Sequence, residues 1–312
     1  MRYAFHVFGA YRDTRKVAIF GSARTRPDDP LYEQTRAFSA AMAAEDWMVI
    51  TGAGPGIMEA GIEGAGADRA FGVSIRLPFE AATTQLVAGD PKLINFRYFF
   101  TRKLAFIKEA DGFALLPGGY GTLDEAFELL TLVQTGKAQP SPIVLLDVPG
   151  GTYWKTWRSF VEDELEQRGY VGEHDLCLVR VTDDVTEAVD ELRGFYSNYH
   201  SQRFVGGRLV LRLRRAPDDE TLEQLTEQFA DIITRGSIER VQAAPVELAD
   251  DDHPELDRVA LWFDRRGWPR LRELIDALNG RPTNDDRRPS GRTRRRRTRR
   301  ALGSRAPRRG AR

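Results

Sequence analysis

The sequence has 312 residues, 41% of them hydrophobic and 29% charged, the balance of a soluble globular protein with room for a large domain and a smaller one. A single cysteine, Cys177, excludes an internal disulfide and fits a reducing, cytoplasmic setting; no uncharged apolar run approaches the ~18 residues of a membrane span. The formal net charge of zero conceals a division: residues 281–312 hold fourteen arginines and two aspartates, so the preceding 280 residues are acidic by the same margin.

The opening MRYAFHVFGAYRDTRK lacks the long apolar core and small-residue cleavage site of a signal peptide, so none is expected. KVAIFGSAR (16–24) reads as a buried strand running into a turn, and 31–46 as a helix with Leu31, Phe38, Ala41 and Met42 on one side. WMVITGAGPGIMEAGIEGAG (47–66) is strand, glycine-rich loop and helix, and AFGVSIRLP (70–78) a strand closed by proline. Over 99–110, Phe100, Leu104 and Ile107 recur at helical spacing, and the aromatics there read as core. DGFALLPGG (111–119) is a strand entering a loop. Residues 121–135 form a helix with Leu123, Phe127, Leu130 and Gln134 in line. SPIVLLD (141–147) is a strand, 153–168 a helix, LCLVRVT (176–182) a strand and 184–198 a helix. This alternation predicts an α/β fold, a Rossmann-like doubly wound parallel sheet covered by helices on both faces.

The pattern changes near residue 200. GGRLVLRLRR (206–215) alternates Leu209, Leu211 and Leu213 against Val210, Arg212 and Arg214, as a strand with one wetter face does. A helix over 218–236, strands in SIERVQAAPVEL and DRVALWFDRR, and a last helix in GWPRLRELIDALNG complete a small α+β domain. The predicted organisation is therefore 1–199, a nucleotide-binding sheet domain; 200–280, the α+β domain; and 281–312, a basic tail too poor in apolar residues to fold alone. Such a tail is ordinarily a solvated end. Its charge also suits a polyanion, although it has no aromatics to stack on bases. Salt-dependent polyanion binding that disappears on deleting 281–312 is the result that role requires; binding unchanged by the deletion removes it.

Three glycine-bearing turns follow predicted strands, and ligands of open α/β sheets bind at that strand end. They are FGSAR, with Ser22 and Arg24; TGAGPGIMEA, with Gly54 and Pro55; and PGGYGTLDE (117–125). Glycine permits left-handed backbone and close ligand approach, and amides at a helix start converge on an anion. One such turn is often a plain connector; three at one sheet edge favour a phosphate-bearing ligand. The GxxxxGK(S/T) loop is absent, and the 52–57 glycines lack strict GxGxxG spacing. Asp124 and Glu125 could simply complement a helix dipole, but a dipole acid needs no glycine nest before it. Helical spacing turns Glu125 away from the Leu123–Phe127–Leu130 stripe. Arg102 and Lys103 belong to a helix that feeds the PGGYGTLDE strand and can reach the same edge. His6, His174, His200 and His253 are scattered, no metal-ligand spacing occurs, and Cys177 reads as an inert core thiol.

PGGYGTLDE resembles the PGGxGTxxE motif of the Lonely guy family, enzymes that remove the ribose 5-phosphate from cytokinin nucleotides and were long labelled lysine decarboxylases. The Arg102–Lys103 pair of FTRK is similar to the family's RK pair, TGAGPGIMEA to its glycine-rich segment and KVAIFGSAR to its first strand and turn. The resemblance covers about residues 15–195. Ala53 stands where a glycine is common and Asp124 where glutamate is common. The resemblance implies hydrolysis of the N-glycosidic bond of AMP-like, including N6-prenylated, nucleoside 5′-monophosphates. It implies no cofactor and a homodimer. Catalysis would fall to Arg102 and Glu125. Substrate contacts would fall to Ser22, Gly54, Glu80, Lys103, Gly118, Gly119, Tyr120, Gly121, Thr122, Leu123, Asp124 and Thr131. The alternative on the same fold is a non-catalytic nucleotide-binding or sensor protein.

Overall fold

The computed structural model describes residues 1–75, 87 and 89–282. Seven strands form one parallel sheet: β1 (Lys16–Phe20), β2 (Met48–Thr51), β3 (Ala70–Ile75), β4 (Leu93–Phe96), β5 (Gly112–Leu115), β6 (Ile143–Leu146) and β7 (Val179–Thr182). Their order is β4-β3-β2-β1-β5-β6-β7. The chain winds outward from β1 first to one side and then, after β5, to the other. The topology therefore reverses between β1 and β5, and a crevice opens there at the carboxyl ends.

Alternation along each strand feeds two cores. Val17 and Ile19 of β1 join Val49, Ala114 and Leu146 on one face, against Phe38 and Met42 of α2 (Pro30–Ala44), Ile57 of α3 (Ile57–Ala65) and Leu192 of α7 (Val185–Phe195). Ala18 points to the other face with Ile50, Phe71, Phe113 and Leu115. There it meets Phe106 of α4 (Phe99–Glu109), Ala126 and Leu129 of α5 (Tyr120–Gln134) and Trp154 of α6 (Tyr153–Phe160). Both faces are covered, so the strands carry near-continuous apolar runs. An N-terminal helix that the sequence reading did not place, α1 (Arg2–Gly9), adds Ala4 and Phe8 to this second core, with Phe8 stacked on Phe71 at 4.6 Å.

A second, antiparallel sheet has the order β10-β11-β9-β8. Its strands are β8 (Tyr199–Val205), β9 (Arg208–Leu213), β10 (Glu239–Arg240) and β11 (Asp257–Leu261). The β8–β9 hairpin turns on Gly206 and Gly207, both left-handed at φ 56° and 86°, the backbone that a two-residue hairpin loop needs. Leu209, Leu211, Leu213, Val259 and Leu261 pack on Leu222 and Leu225 of α8 (Asp219–Gln228) and on Leu271, Leu274 and Ile275 of α10 (Trp268–Leu278). The opposite face is not the wetter one expected. Arg212 and Arg258 are both 2% exposed. They share the carboxylate of Glu247, at 2.8 and 3.4 Å, under the short helix α9 (Pro245–Ala249). Breaking such a buried pair from one side typically costs about 3–5 kcal/mol, because a charge is stranded away from water. Helix α10 also ties this sheet to the first: buried Arg272 pairs with Glu191 of α7, and Arg281 reaches the other oxygen of Glu191 at 2.7 Å.

Several element boundaries differ from the expectations. The predicted strand in SIERVQAAPVEL shrinks to two residues, because Pro245 cannot donate to a ladder and instead opens α9. The helix predicted over 218–236 stops at Gln228 and continues only as a 3-10 turn, and that over 153–168 becomes π-helical after Phe160. Edge strands β4 and β8 are short or polar, and periodicity does not mark them. Among the described residues, no helix is long and apolar enough to cross a membrane. The strand predicted over 70–78 is described to Ile75; Glu80 and the basic tail from residue 283 lie outside the described residues.

Candidate active site

Strands β2, β1 and β5 are neighbours, so the three glycine-bearing turns lie side by side at one sheet edge. Main-chain hydrogen bonds of Ser22 join them. Its N–H donates to the carbonyl of Pro117 (3.3 Å), and its carbonyl accepts from the N–H of Ile57 (3.1 Å) at the start of α3. This closeness explains two glycines. Gly56 is left-handed at φ 69°, and a Cβ there would lie 2.5 Å from the Ser22 carbonyl oxygen. A Cβ on Gly118 would run into the Thr122 hydroxyl and come within 3.0 Å of the Ser22 nitrogen. Ala53, in the turn after β2, is itself left-handed at φ 57°, a conformation that costs an L-residue about 1 kcal/mol or more.

Gly119 caps α5 without any side-chain partner, and Cβ atoms at Gly119 and Gly121 would meet nothing within 4 Å. The amides at this helix start thus border open space, as an anion cradle requires. Thr122 is buried with its hydroxyl beside Gly118, and Tyr120 projects outward, 94% exposed.

Helix α4 supplies the cations. Arg102 donates from Nε to the carbonyl of Val73 at 2.8 Å, and its guanidinium fills the space beside Gly52, next to the sulfur of Met58. Any side chain at 52 would displace it. Lys103 Nζ lies 2.6 Å from both Asp124 Oδ2 and Glu128 Oε2. Burial works against the ammonium, but those two hydrogen bonds and the field of Glu125 outweigh it, so its pKa is raised. Asp124 therefore anchors the lysine.

Glu125 sits one residue beyond Asp124 on α5. Its carboxyl pKa is pushed up to about 7 by burial, while Lys103 and Arg102 pull it down and Glu128 and Asp124 push it further up. The side chain is half-buried, not turned fully outward as helical spacing alone implied. The reason is that the buried stripe of α5 runs one residue earlier than expected, through Thr122, Ala126, Leu129 and Val133. Leu123, Leu130 and Gln134 are only half-buried and Phe127 is exposed. Helix α4 departs in the same way. Ala105 and Phe106 form its buried side, whereas Phe100 and Leu104, expected in the core, are 70% and 51% exposed.

The structure thus gathers Ser22, Gly54, Arg102, Lys103, Asp124, Glu125 and the 118–122 loop at one edge. Gly54 packs on the Met58 side chain. Thr131 stands farther along α5, its hydroxyl donating to the Phe127 carbonyl of its own helix (2.7 Å). Two contributors escaped the sequence reading: Glu128, second anchor of Lys103, and Tyr153, whose hydroxyl donates to the Gly118 carbonyl at 2.7 Å. The i, i+4 spacing of Glu128 from Asp124 marks it as sharing a helix face with that acid; nothing local signals Tyr153. Among the described residues, no group of three or more His, Cys, Asp and Glu side chains is placed to hold a metal. An open cavity of about 640 Å³ lies elsewhere, along β7, α7 and Arg281; charged pairs line it, and none of the glycine loops does.

Residues 54–192 match a family described as "Possible lysine decarboxylase". The probable cytokinin riboside 5′-monophosphate phosphoribohydrolase LOGL3 of Oryza sativa subsp. japonica is 32% identical over 101 residues, 32% of this chain and 46% of that protein. The cytokinin riboside 5′-monophosphate phosphoribohydrolase LOG1 of Arabidopsis thaliana is 33% identical over 94 residues, 30% of this chain and 42% of that one. The chain thus spans less than half the length of these curated relatives, and its resemblance to the Lonely guy family is shown over that part. Among solved structures, the molybdenum cofactor binding protein of Rippkaea orientalis covers 58% of this chain and 96% of its own at 17% identity and TM-score 0.41.

The raised carboxyl pKa has a consequence for stability. The native state holds the Glu125 proton more tightly than the unfolded chain, so stability attributable to this group is lost as pH rises from about 4.5 to about 7. Glu125→Gln, which cannot ionise, is expected to match the parent near pH 4 and to exceed it by about 1–3 kcal/mol at pH 8. Urea denaturation at the two pH values measures the difference; equal gaps at both would contradict the assignment.

Proposed function

We propose that the site hydrolyses the N-glycosidic bond of AMP-like nucleoside 5′-monophosphates to free base and ribose 5-phosphate. The observation that carries this reading is the Glu125 carboxyl, half-buried in the field of Arg102 and Lys103, four residues from Gly121. Four helical residues rise about 6 Å, roughly the span from a 5′-phosphate to the far side of a ribose. The amides of 118–122 and the Thr122 hydroxyl hold the phosphate. That remote grip positions the sugar and supplies binding energy to the reacting centre.

Breaking the bond between C1′ and the base builds positive charge on the sugar, which the ionised Glu125 stabilises. Water adds its oxygen to C1′, and Glu125 takes the water proton, which returns to the departing base. A carboxyl with a pKa about 7 is matched to both accepting and releasing that proton near neutrality. Arg102, fixed by the Val73 carbonyl, holds Glu125 or the leaving base in register. The names of the rice and Arabidopsis relatives, cytokinin riboside 5′-monophosphate phosphoribohydrolases, support this substrate class and extend it to cytokinin nucleotides. Pyridoxal chemistry, which a lysine decarboxylase implies, does not fit: Lys103 is a doubly paired ammonium with a raised pKa, whereas a Schiff base needs the free amine.

The exposed apolar side chains Tyr98, Phe99, Phe100 and Leu104 on and before α4 and Tyr120 and Phe127 on α5 lie on the two helices that carry Arg102, Lys103 and Glu125. They support a homodimer joined across α4 and α5, because monomeric proteins seldom leave such patches wet.

Incubated with a panel of nucleoside monophosphates, the protein is expected to release free base. Glu125→Ala and Arg102→Ala should each remove that activity by at least ~100-fold while retaining native circular dichroism. The parent kcat/KM should rise as pH passes about 7 and the carboxyl ionises. Base release by either variant at the parent rate sinks the mechanism, and nucleotide binding without release by the parent establishes the sensor alternative. For the dimer, sedimentation of the parent at micromolar concentration should give twice the chain mass, and Phe100→Asp should give one chain; a monomeric parent rejects it.

A further inference from the structure

Resting on the phosphate grip assigned above to residues 118–122, we propose that Tyr153 is a positioning residue that aims the Gly119 amide at the substrate phosphate. The Tyr153 hydroxyl donates to the Gly118 carbonyl at 2.7 Å. That carbonyl and the Gly119 N–H belong to one planar trans peptide and point in opposite directions. Holding the carbonyl toward α6 therefore turns the Gly119 N–H away from it, toward the start of α5. Gly119 has open space around its α-carbon, and Gly118 has no room for a side chain. Glycine backbone rotates freely, so without an anchor this peptide has several orientations and the cradle loses a donor in most of them.

Tyr153 is itself held. Asp147, buried at the end of β6, accepts from the N–H of Val148 at 2.9 Å with one carboxylate oxygen and from the N–H of Tyr153 at 3.0 Å with the other. Gly151 leaves room for that carboxylate, since a Cβ there would overlap it. The ring packs edge-on against Trp154 at 4.8 Å. The rigid chain of contacts thus runs from β6 through Asp147 and Tyr153 to the Gly118–Gly119 peptide. A loop that contributes nothing to the motif orients the motif's backbone.

Tyr153→Phe keeps the ring and removes only the hydroxyl. The expected result is a 3- to 10-fold weaker Kd for ribose 5-phosphate by titration calorimetry, the size of one neutral hydrogen bond. Binding of adenosine, which has no phosphate, should not change. In turnover, KM for the nucleotide should rise by the same factor with kcat within about twofold, a split that a general loss of folding would not produce. An unchanged Kd for ribose 5-phosphate overturns the proposal, as does a parent protein that does not bind it. A parent that binds ribose 5-phosphate but releases no base refutes the hydrolase reading alone, and the Tyr153→Phe affinity then still decides this one.

Discussion

The two main-chain hydrogen bonds of Ser22 hold the site together. One reaches the turn after β5 and the other the start of α3, so the three glycine turns become a single surface. Main-chain groups at loops must find partners when withdrawn from water, and here the partners are other loops. That requirement dictates residues well beyond Ser22. Gly56 and Gly118 are glycines because neighbouring backbone or side-chain atoms occupy the space where a Cβ would be. The sheet makes the arrangement possible by setting β2, β1 and β5 next to one another with their carboxyl ends aligned.

Electrostatics on this surface depend on helix α4. Its consecutive cations serve different partners. Arg102 turns inward to the Val73 carbonyl and the space beside Gly52, and Lys103 turns toward α5 between Asp124 and Glu128. Glu125 then lies in the field of two cations while half-buried. Burial is the larger influence, and the carboxyl pKa is pushed up to about 7. Such opposing influences on one group suit the proton-transfer role proposed for Glu125. The second sheet shows the opposite case, in which Glu247 satisfies two buried arginines and its pKa is lowered.

The main sheet was legible because buried parallel strands are short, apolar and β-branched and are separated by amphipathic helices. The PGGYGTLDE motif was legible because its glycines and acids are contiguous. Helix faces were less so. In α4 and α5 the sequence stripe containing Phe100, Leu104 and Phe127 looked like core, yet the buried side runs through Ala105, Phe106, Ala126 and Leu129. Hydrophobicity alone cannot distinguish a face turned to the sheet from one left for another partner. Likewise Arg212 read as solvent-facing, because a buried ion pair depends on Glu247, 35 residues away.

Beside the resemblance to the Lonely guy family, which singles out Arg102 and Glu125, the sequence by itself determined the parallel α/β architecture and the three glycine turns at its carboxyl edge. Those are local properties: periodicity, backbone freedom and the chemistry of adjacent side chains. Only the tertiary structure decided that Glu125 is half-buried with a raised pKa, that Lys103 is held between Asp124 and Glu128, and that Tyr153 grips the Gly118 carbonyl. Burial and hydrogen bonding between residues distant along the chain are set by how helices pack on the sheet. No spacing within a single element encodes them.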